Sequence, residues 1–385
     1  MNDHAAFQSR ITTTVTDIPQ SEWDSVFPPI AESYHFFKTL EETCQEQFKT
    51  FYITLYEGPR LACAAPCFVM DYPLDTTLDG GLKSALNWLE AKLRKKINLR
   101  ILICGCTAAE GRIGIADVNR KDIAQALLSE MESLARKEKI SLVAFKDFPD
   151  DYLPVFTPLL RQGLHRIPSY PAVALDIPYR SFEEYFATLS KATRKDLRRK
   201  FQKIENLPPV SFEVTNDIGS LLEEAYALYL NTLQKSDVQF ERLTKEFFSV
   251  ISKNMPQETR YFLWRVNGKL VAFDLCLVKG DTLVDEYIGM DYPLAYDYHL
   301  YYVTFRDIVN WCIQNNVTKY ESGALNYDPK KRLDFRFVPH TIYMKHRNRI
   351  MNVFFGLLAE IIKPENFDPI LKDIQKPKSH DKNHT

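Results

Sequence analysis

The sequence predicts a mixed α/β (α+β) fold of mostly antiparallel sheets flanked by helices, and three observations carry that reading. Hydrophobic residues make up 45% of the 385 and charged residues 26%, which is enough apolar material for one large domain or two ordinary ones and excludes a disordered chain. Only 13 glycines stand against 20 tyrosines and 25 phenylalanines, a balance suited to helices and sheets around aromatic cores. The order hairpin, helix, strand, helix, strand occurs once in each half.

In the first half, FYITLYE (51–57) and LACAAPCFVM (61–70) flank Gly58-Pro59-Arg60 and read as an antiparallel hairpin. Leu82, Ala85, Leu86, Leu89 and Leu93 recur at three and four residues, predicting a helix with Lys92, Arg94, Lys95 and Lys96 on its wet side. A buried strand follows at 99–105. Gly105, Gly111, Arg112 and Gly114 then form a loop with the composition, though not the spacing, of an anion cradle. Ile123, Leu127, Met131 and Leu134 predict a helix over 121–138, and ISLVAFK a strand over 140–146.

The second half has helices near 220–235 and 244–253, then a hairpin of 260–266 and 269–278 joined by Asn267-Gly268, a strong turn signal. A strand at 281–290 leads into a helix at 299–315 with Tyr302, Phe305, Val309, Cys312 and Ile313 as its buried stripe. A strand at 318–324 ends the unit. The match in order at a spacing of about 200 residues predicts an N-terminal domain (1–178), a basic linker (179–209), a C-terminal domain (210–362) and a flexible polar tail (363–385).

Lys and Arg number 49 and Asp and Glu 50, so no global field drives the chain onto nucleic acid or an anionic membrane. The longest nearly uncharged apolar run, 351–362, falls well short of the roughly 20 residues that span a bilayer. With the N-terminal MNDHAAFQSR lacking an apolar signal core, the expectation is a soluble, cytoplasmic protein with no transmembrane segment. Seven cysteines, odd in number and set in apolar runs, read as reduced thiols, and neither they nor the dispersed histidines have metal-ligand spacing.

Between the halves, Lys191, Arg194, Lys195, Arg198, Arg199, Lys200 and Lys203 stand against only Asp196, while Leu189, Leu197, Phe201 and Ile204 keep helical spacing. This basic amphipathic helix is either a solvated linker or an anion contact, with Arg194, Arg198 and Arg199 as phosphate ligands.

The run HLYYVTFRDIVNWCIQNNVTKYESGALNYDPKKRLDFRFVPHTIYMKH (299–346) resembles the C-terminal half of FemAB-like acyltransferases, a GNAT branch associated with peptidoglycan biosynthesis. SFEEYFATLSKATRKDLRRKFQKIE, GKLVAF and DEYIGMDY extend the resemblance over 181–347, and the hairpin order extends it more weakly to about residue 40. The resemblance implies tandem GNAT domains and direct transfer of an acyl or aminoacyl group to an amine, without metal or covalent enzyme intermediate. The donor would be acyl-CoA, a carrier-protein thioester or aminoacyl-tRNA, and the acceptor a small-molecule or peptide amine. The loop MDYPLAYDYHL lacks the glycine-rich turn usual for CoA, which favours the other two donors.

That chemistry needs a proton acceptor for the ammonium and donors for the carbonyl oxygen. Asp285, Glu286, Asp291 and Glu321 are the acid candidates, with Glu321 and Asp285 leading; Asp291 serves equally as an acceptor contact. Alternation in DTLVDEYIG places Leu283, Asp285 and Tyr287 on one face and Val284, Glu286 and Ile288 on the other. Tyr287 joins the catalytic candidates, and Tyr298, His299, Lys330 and Lys331 the donor-binding ones. Gly323, Tyr327 and His346 are expected at the acceptor. The rival reading is a catalytically silent double-GNAT protein that holds an anionic partner through helix 191–203.

Overall fold

The computed structural model describes residues 7–44, 47–73, 92, 98–235, 241–359, 363–366 and 368–374. The helix expected from Leu82 to Lys96 lies outside the described residues except for Lys92, as does most of the expected tail. The first sheet starts with β1 (Gln8–Thr12), β2 (Lys49–Glu57), β3 (Arg60–Pro73), β4 (Asn98–Cys104), β5 (Gly114–Ile115), β6 (Leu142–Pro149) and β7 (His165–Pro168). The remaining strands are β8 (Ala172–Asp176), β9 (Val210–Thr215), β10 (Thr259–Val266), β11 (Lys269–Lys279), β12 (Thr282–Met290), β13 (Lys319–Ser322), β14 (Arg336–Val338) and β15 (His340–His346).

The strand order is β1-β2-β3-β4-β6-β15-β7, with β5 on β3, in one sheet and β9-β10-β11-β12-β13-β8-β14 in the other. Each is antiparallel except for a single parallel pair, β4 with β6 and β12 with β13. Both hairpins also carry a bulge at the same step, leaving Ala62 and Val271 without a partner opposite. The repeat read from element order is thus present in topology and register. The sixth place in each sheet holds a strand from the other part of the chain: β8, before residue 178, pairs with β13 and β14, and β15 pairs with β6 and β7.

Helices Gln20–Val26, Tyr34–Cys44, Leu222–Lys235 and Lys245–Asn254 meet between the halves. Trp23, Phe36, Phe37, Phe247, Phe248 and Tyr261 form one buried cluster there, with Phe36 edge-on to Phe247 at 6.2 Å. Each such side chain contributes roughly 1.5–3 kcal/mol by leaving water, so the two halves share one core. Polar bonds fix their register: Thr244 Oγ1 donates to Thr43 O at 3.1 Å, and Asn254 Nδ2 donates to Thr39 Oγ1 and Glu42 Oε2 at 3.0 and 2.8 Å.

Helix Lys121–Lys137 buries its predicted Ile123, Leu127, Met131 and Leu134 on the first sheet. Helix Leu300–Gln314 covers the second with Val303, Phe305, Ile308, Val309 and Cys312, leaving Tyr302 and Ile313 half-buried at the margins. All seven cysteines are free and buried. Among the described residues no helix is long and apolar enough to cross a membrane.

Candidate functional site

Strands β12 and β13 run side by side from Thr282 and Lys319 to Asp285 and Ser322, then part. At the same point the ladder with β11 slips: Leu275 faces Tyr287 and Cys276 faces Asp285, so Glu286 is bulged out with no partner in either ladder. The bulge corrects the alternation expected from sequence, because one extra residue reverses every side chain beyond it. Asp285 and Tyr287 therefore point to opposite faces.

Asp285 turns toward helix Leu300–Gln314, where its Oδ2 accepts from Tyr320 Oη at 2.9 Å and Ser322 Oγ at 3.1 Å. Asp274, almost wholly buried, is hydrogen-bonded to the same carboxylate; burial and the charge of Asp285 push the Asp274 carboxyl well above its usual range. It therefore keeps its proton. Lys330, 8% exposed, donates to Gly323 O at 2.7 Å. Burial lowers its ammonium to about 8, against the pull of Asp285 and Asp274. Asp274, Cys276 and Asp285 bring ligand atoms within 4.8 Å of one another. The shared proton and the nearby ammonium already balance the charge of that group.

On the other face, Tyr287 Oη donates to Glu241 Oε1 at 3.0 Å and lies 3.3 Å from Ala108 O, so a loop of the first half closes over the bulge. That loop, after β4, carries Cys106, Glu110 and Arg112. It lies close to β6, since a Cβ on Gly111 would fall 1.9 Å from Lys146 O. Lys146 pairs with Asp147 at 2.6 Å and reaches Ala109 O at 3.4 Å, while Ser169 donates to Asp147. Arg112 pairs with Glu110 at 2.7 Å, and His340 Nε2 lies 3.2 Å from Glu110 Oε2. His340 Nδ1 accepts from Ala172 N.

These groups gather at the junction between the halves and set one another's protonation. Burial pushes Glu286 well above the usual carboxylate range, and Glu32, Asp285, Glu110 and Glu241 add to it; its Oε1 is shielded with no hydrogen-bond partner. Burial raises Glu32 to about 7. Glu241 is also raised by burial, despite Lys146 and the Tyr287 hydroxyl. Burial would raise Glu110 too, but His340 and Arg112 outweigh it and hold it low. The junction thus holds ionised and neutral carboxyl groups side by side, the arrangement that separates acid from base roles.

Of the residues expected from sequence, Glu286, Tyr287 and Glu321 come together at the junction and Asp285, Lys330 and Gly323 behind the fork. Glu321 points away from Tyr320 and Ser322, pairs with Lys319, and its charge acts on Glu32. Tyr298 is buried in the apolar cluster between the second sheet and helix Leu300–Gln314, and Tyr327 is pinned through its hydroxyl to Pro171 O at 2.8 Å. His299 opens helix Leu300–Gln314 in the left-handed conformation without a side-chain cap. Burial and the charges of Lys203 and Lys200 lower its imidazole.

Asp291 caps helix Tyr292–Asp297 and pairs with Lys269 at 2.8 Å. Lys331 pairs with Asp373 at the surface. His346 stacks on Phe355 at the far end of β15 from His340, and so lies apart from the junction. In the basic helix Lys191–Ile204, Arg194 donates to the carbonyls of Ala187 and Leu189, Arg198 lies over Phe186 and Arg199 pairs with Asp196. The charges of Lys203, Lys200 and, more weakly, Arg199 reach His299, and Lys200 pairs with Asp196 as Arg199 does.

Sequence reasoning missed Glu32, Glu110, Lys146, Asp147, Glu241 and His340. Glu32, Glu110 and Glu241 sit in loops, His340 at a strand end, and Lys146 and Asp147 inside β6 where its ladder with the remote β15 is irregular, so no local spacing exposes them. The signal that existed was the loop after β4, singled out above as an anion cradle through Arg112.

Residues 14–353 match the FemAB-like family, described by peptidoglycan biosynthesis and recognition. The chain belongs to this family. A Mycobacterium tuberculosis protein provisionally named 8-amino-7-oxononanoate synthase 2 is 22% identical over 335 residues, 83% of this chain. The FemAB-like chain spans only 42% of that relative's length. Among solved structures, FemX superposes with a TM-score of 0.57 at 10% identity, covering 91% of this chain and 100% of FemX. A tandem GNAT protein from the clavulanic acid pathway gives 0.51 at 11%, covering 89% and 99%. The FemAB-like chain therefore has the tandem GNAT fold.

Proposed function

We propose that this chain transfers an acyl or aminoacyl group from an activated donor to an amine, at the fork where β12 and β13 part. The observation that supports this most is Glu286. It is bulged out at the mouth of the fork, freeing backbone groups from the ladder, and its carboxyl stands among the acids of the junction. Freed N–H groups there stabilise the oxyanion as the amine nitrogen bonds to the donor carbonyl carbon. Glu32, at about 7, takes the ammonium proton directly or through one water, near the ideal basicity for neutral pH. Glu286, kept neutral, returns a proton to the departing thiolate or ribose oxygen. Glu241 and Glu321 draw the cationic amine to the junction.

The donor's phosphates fit the uncapped start of helix Leu300–Gln314, beside His299, Lys200 and Lys203. Residues 291–299 contain no glycine and coil into a short helix, which favours aminoacyl-tRNA or a carrier-protein thioester over free acyl-CoA. The test offers labelled aminoacyl-tRNA, acyl carrier protein and acetyl-CoA in turn, with a peptidoglycan-precursor peptide bearing a free amine. Amide formation that drops roughly 10²- to 10⁴-fold in Glu286→Gln and in Glu32→Gln is expected. No product from any donor, with salt-sensitive binding through Lys191–Ile204 intact, would favour the silent binding protein instead.

A further inference from the structure

We propose that helix Arg349–Ala359 is an interfacial membrane contact that seats the protein on an anionic bilayer. The helix is pinned by its inner face: Phe355 is buried, Asn352 Nδ2 donates to Gly163 O at 2.8 Å, and Gly356 packs on the His165 ring. That fixes which side chains face outward. Ile350, Val353, Phe354 and Leu357 are 80%, 65%, 57% and 68% exposed. Their spacing of three, four and seven residues makes them one stripe. Single exposed apolar residues are ordinary; a continuous stripe on a docked helix marks a contact surface.

Charge beside the stripe identifies the occupant. Val353 shares a groove with Arg136, Lys345, Arg347 and Arg349, and the one carboxylate that lines it among the described residues, Glu132, is paired with Lys345 at 2.6 Å. Arg136 and Arg349 are exposed and Arg347 is held by Ile140 O. An apolar stripe flanked by unneutralised guanidinium groups matches the boundary of an anionic bilayer, with acyl chains for the stripe and lipid phosphates for the arginines. The chain's formal charge of -1 shows that this attraction is local.

A second copy of the chain fits less well. A twofold contact sets the same patch against itself, bringing arginine to arginine. The helix has 11 residues and is about 16 Å long, so its outer face covers far less than the roughly 800 Å² per partner of a stable dimer.

The test is co-sedimentation of the full chain with vesicles of phosphatidylcholine alone or mixed with phosphatidylglycerol, at low and high salt. Binding to the anionic vesicles that weakens with salt is expected. Val353→Asp with Phe354→Asp should abolish it, and Arg136→Gln with Arg349→Gln should weaken it roughly 30-fold, from the typical attraction of each cation near such a surface. These side chains face solvent, so thermal melting should be unchanged. Equal binding to neutral vesicles, no binding, or binding that survives either double variant would overturn the proposal. So would sedimentation velocity showing a dimer that Val353→Asp with Phe354→Asp dissociates.

Discussion

Lys330 Nζ donates to Gly323 O at 2.7 Å, tying the turn after β13 back to the point where that strand leaves the fork. The ammonium is 8% exposed and lowered by burial to about 8 from 10.5. Below pH 8 both folded and unfolded chains carry the proton. Between pH 8 and 10.5 the unfolded chain holds a proton that the folded one has lost, so stability rises with pH across that window. The full rise is about 3 kcal/mol. Melting temperatures of wild type and Lys330→Met, compared from pH 7 to 10.5, should diverge in slope by this amount. Parallel curves would mean that Lys330 stays charged.

Glu32 gives the opposite sign. Its folded pKa, raised by burial to about 7, means the folded chain holds a proton between pH 4.5 and 7 that the unfolded chain has lost. Its contribution to stability is present below 4.5 and fades as pH rises to 7. Turnover, if Glu32 is the base, should climb with pH and level off above 7, and Glu32→Gln should lose that limb. A variant whose pH–rate profile matches wild type would remove Glu32 from proton transfer.

Gly111→Ala should damage the junction from beneath. The new methyl group would meet Lys146 O at 1.9 Å and the Phe148 ring below 3 Å, so the loop after β4 must move. Overpacking of this kind costs about 1–3 kcal/mol, read as a fall in melting temperature of several degrees. Loss of activity should exceed loss of folded protein, because Glu110 and Arg112 ride on that loop.

The basic helix separates structural from exposed arginines. Arg194→Gln removes bonds to Ala187 and Leu189 O at the end of helix Phe182–Thr188 and should destabilise the protein by about 1 kcal/mol or more. Arg199→Gln, mostly in solvent, should leave the melting temperature within about a degree. If donor phosphates bind where the charges of Lys200 and Lys203 reach His299, Lys203→Gln should raise the donor KM without changing the melting temperature.

Much of the fold was legible because its signals are local. Asn267-Gly268 predicts a hairpin that forms at β10 and β11, and Ile123, Leu127, Met131 and Leu134 predict the helix face that is buried. The basic helix 191–203 is observed as Lys191–Ile204. Illegible were β15 and the bulge at Glu286. β15 is positioned by β6, some two hundred residues earlier, and the bulge by a one-residue slip against β11; neither leaves a mark in nearby spacing. The same reason hid His340 and Lys146; His346, singled out from sequence, shares a strand with His340 and sits at its other end.

The exchange of β8 and β15 bears on how the chain is made. As synthesis proceeds from the N-terminus, β6 and β7 emerge with the place between them empty, and β15 follows only on the order of tens of seconds later. Through that interval the nascent chain exposes two unsatisfied strand edges, a template for mispairing with neighbouring nascent chains. Rapid initiation on one message, which crowds such intermediates together, should therefore lower soluble yield more than slow initiation, and a chaperone that shields open edges should recover it.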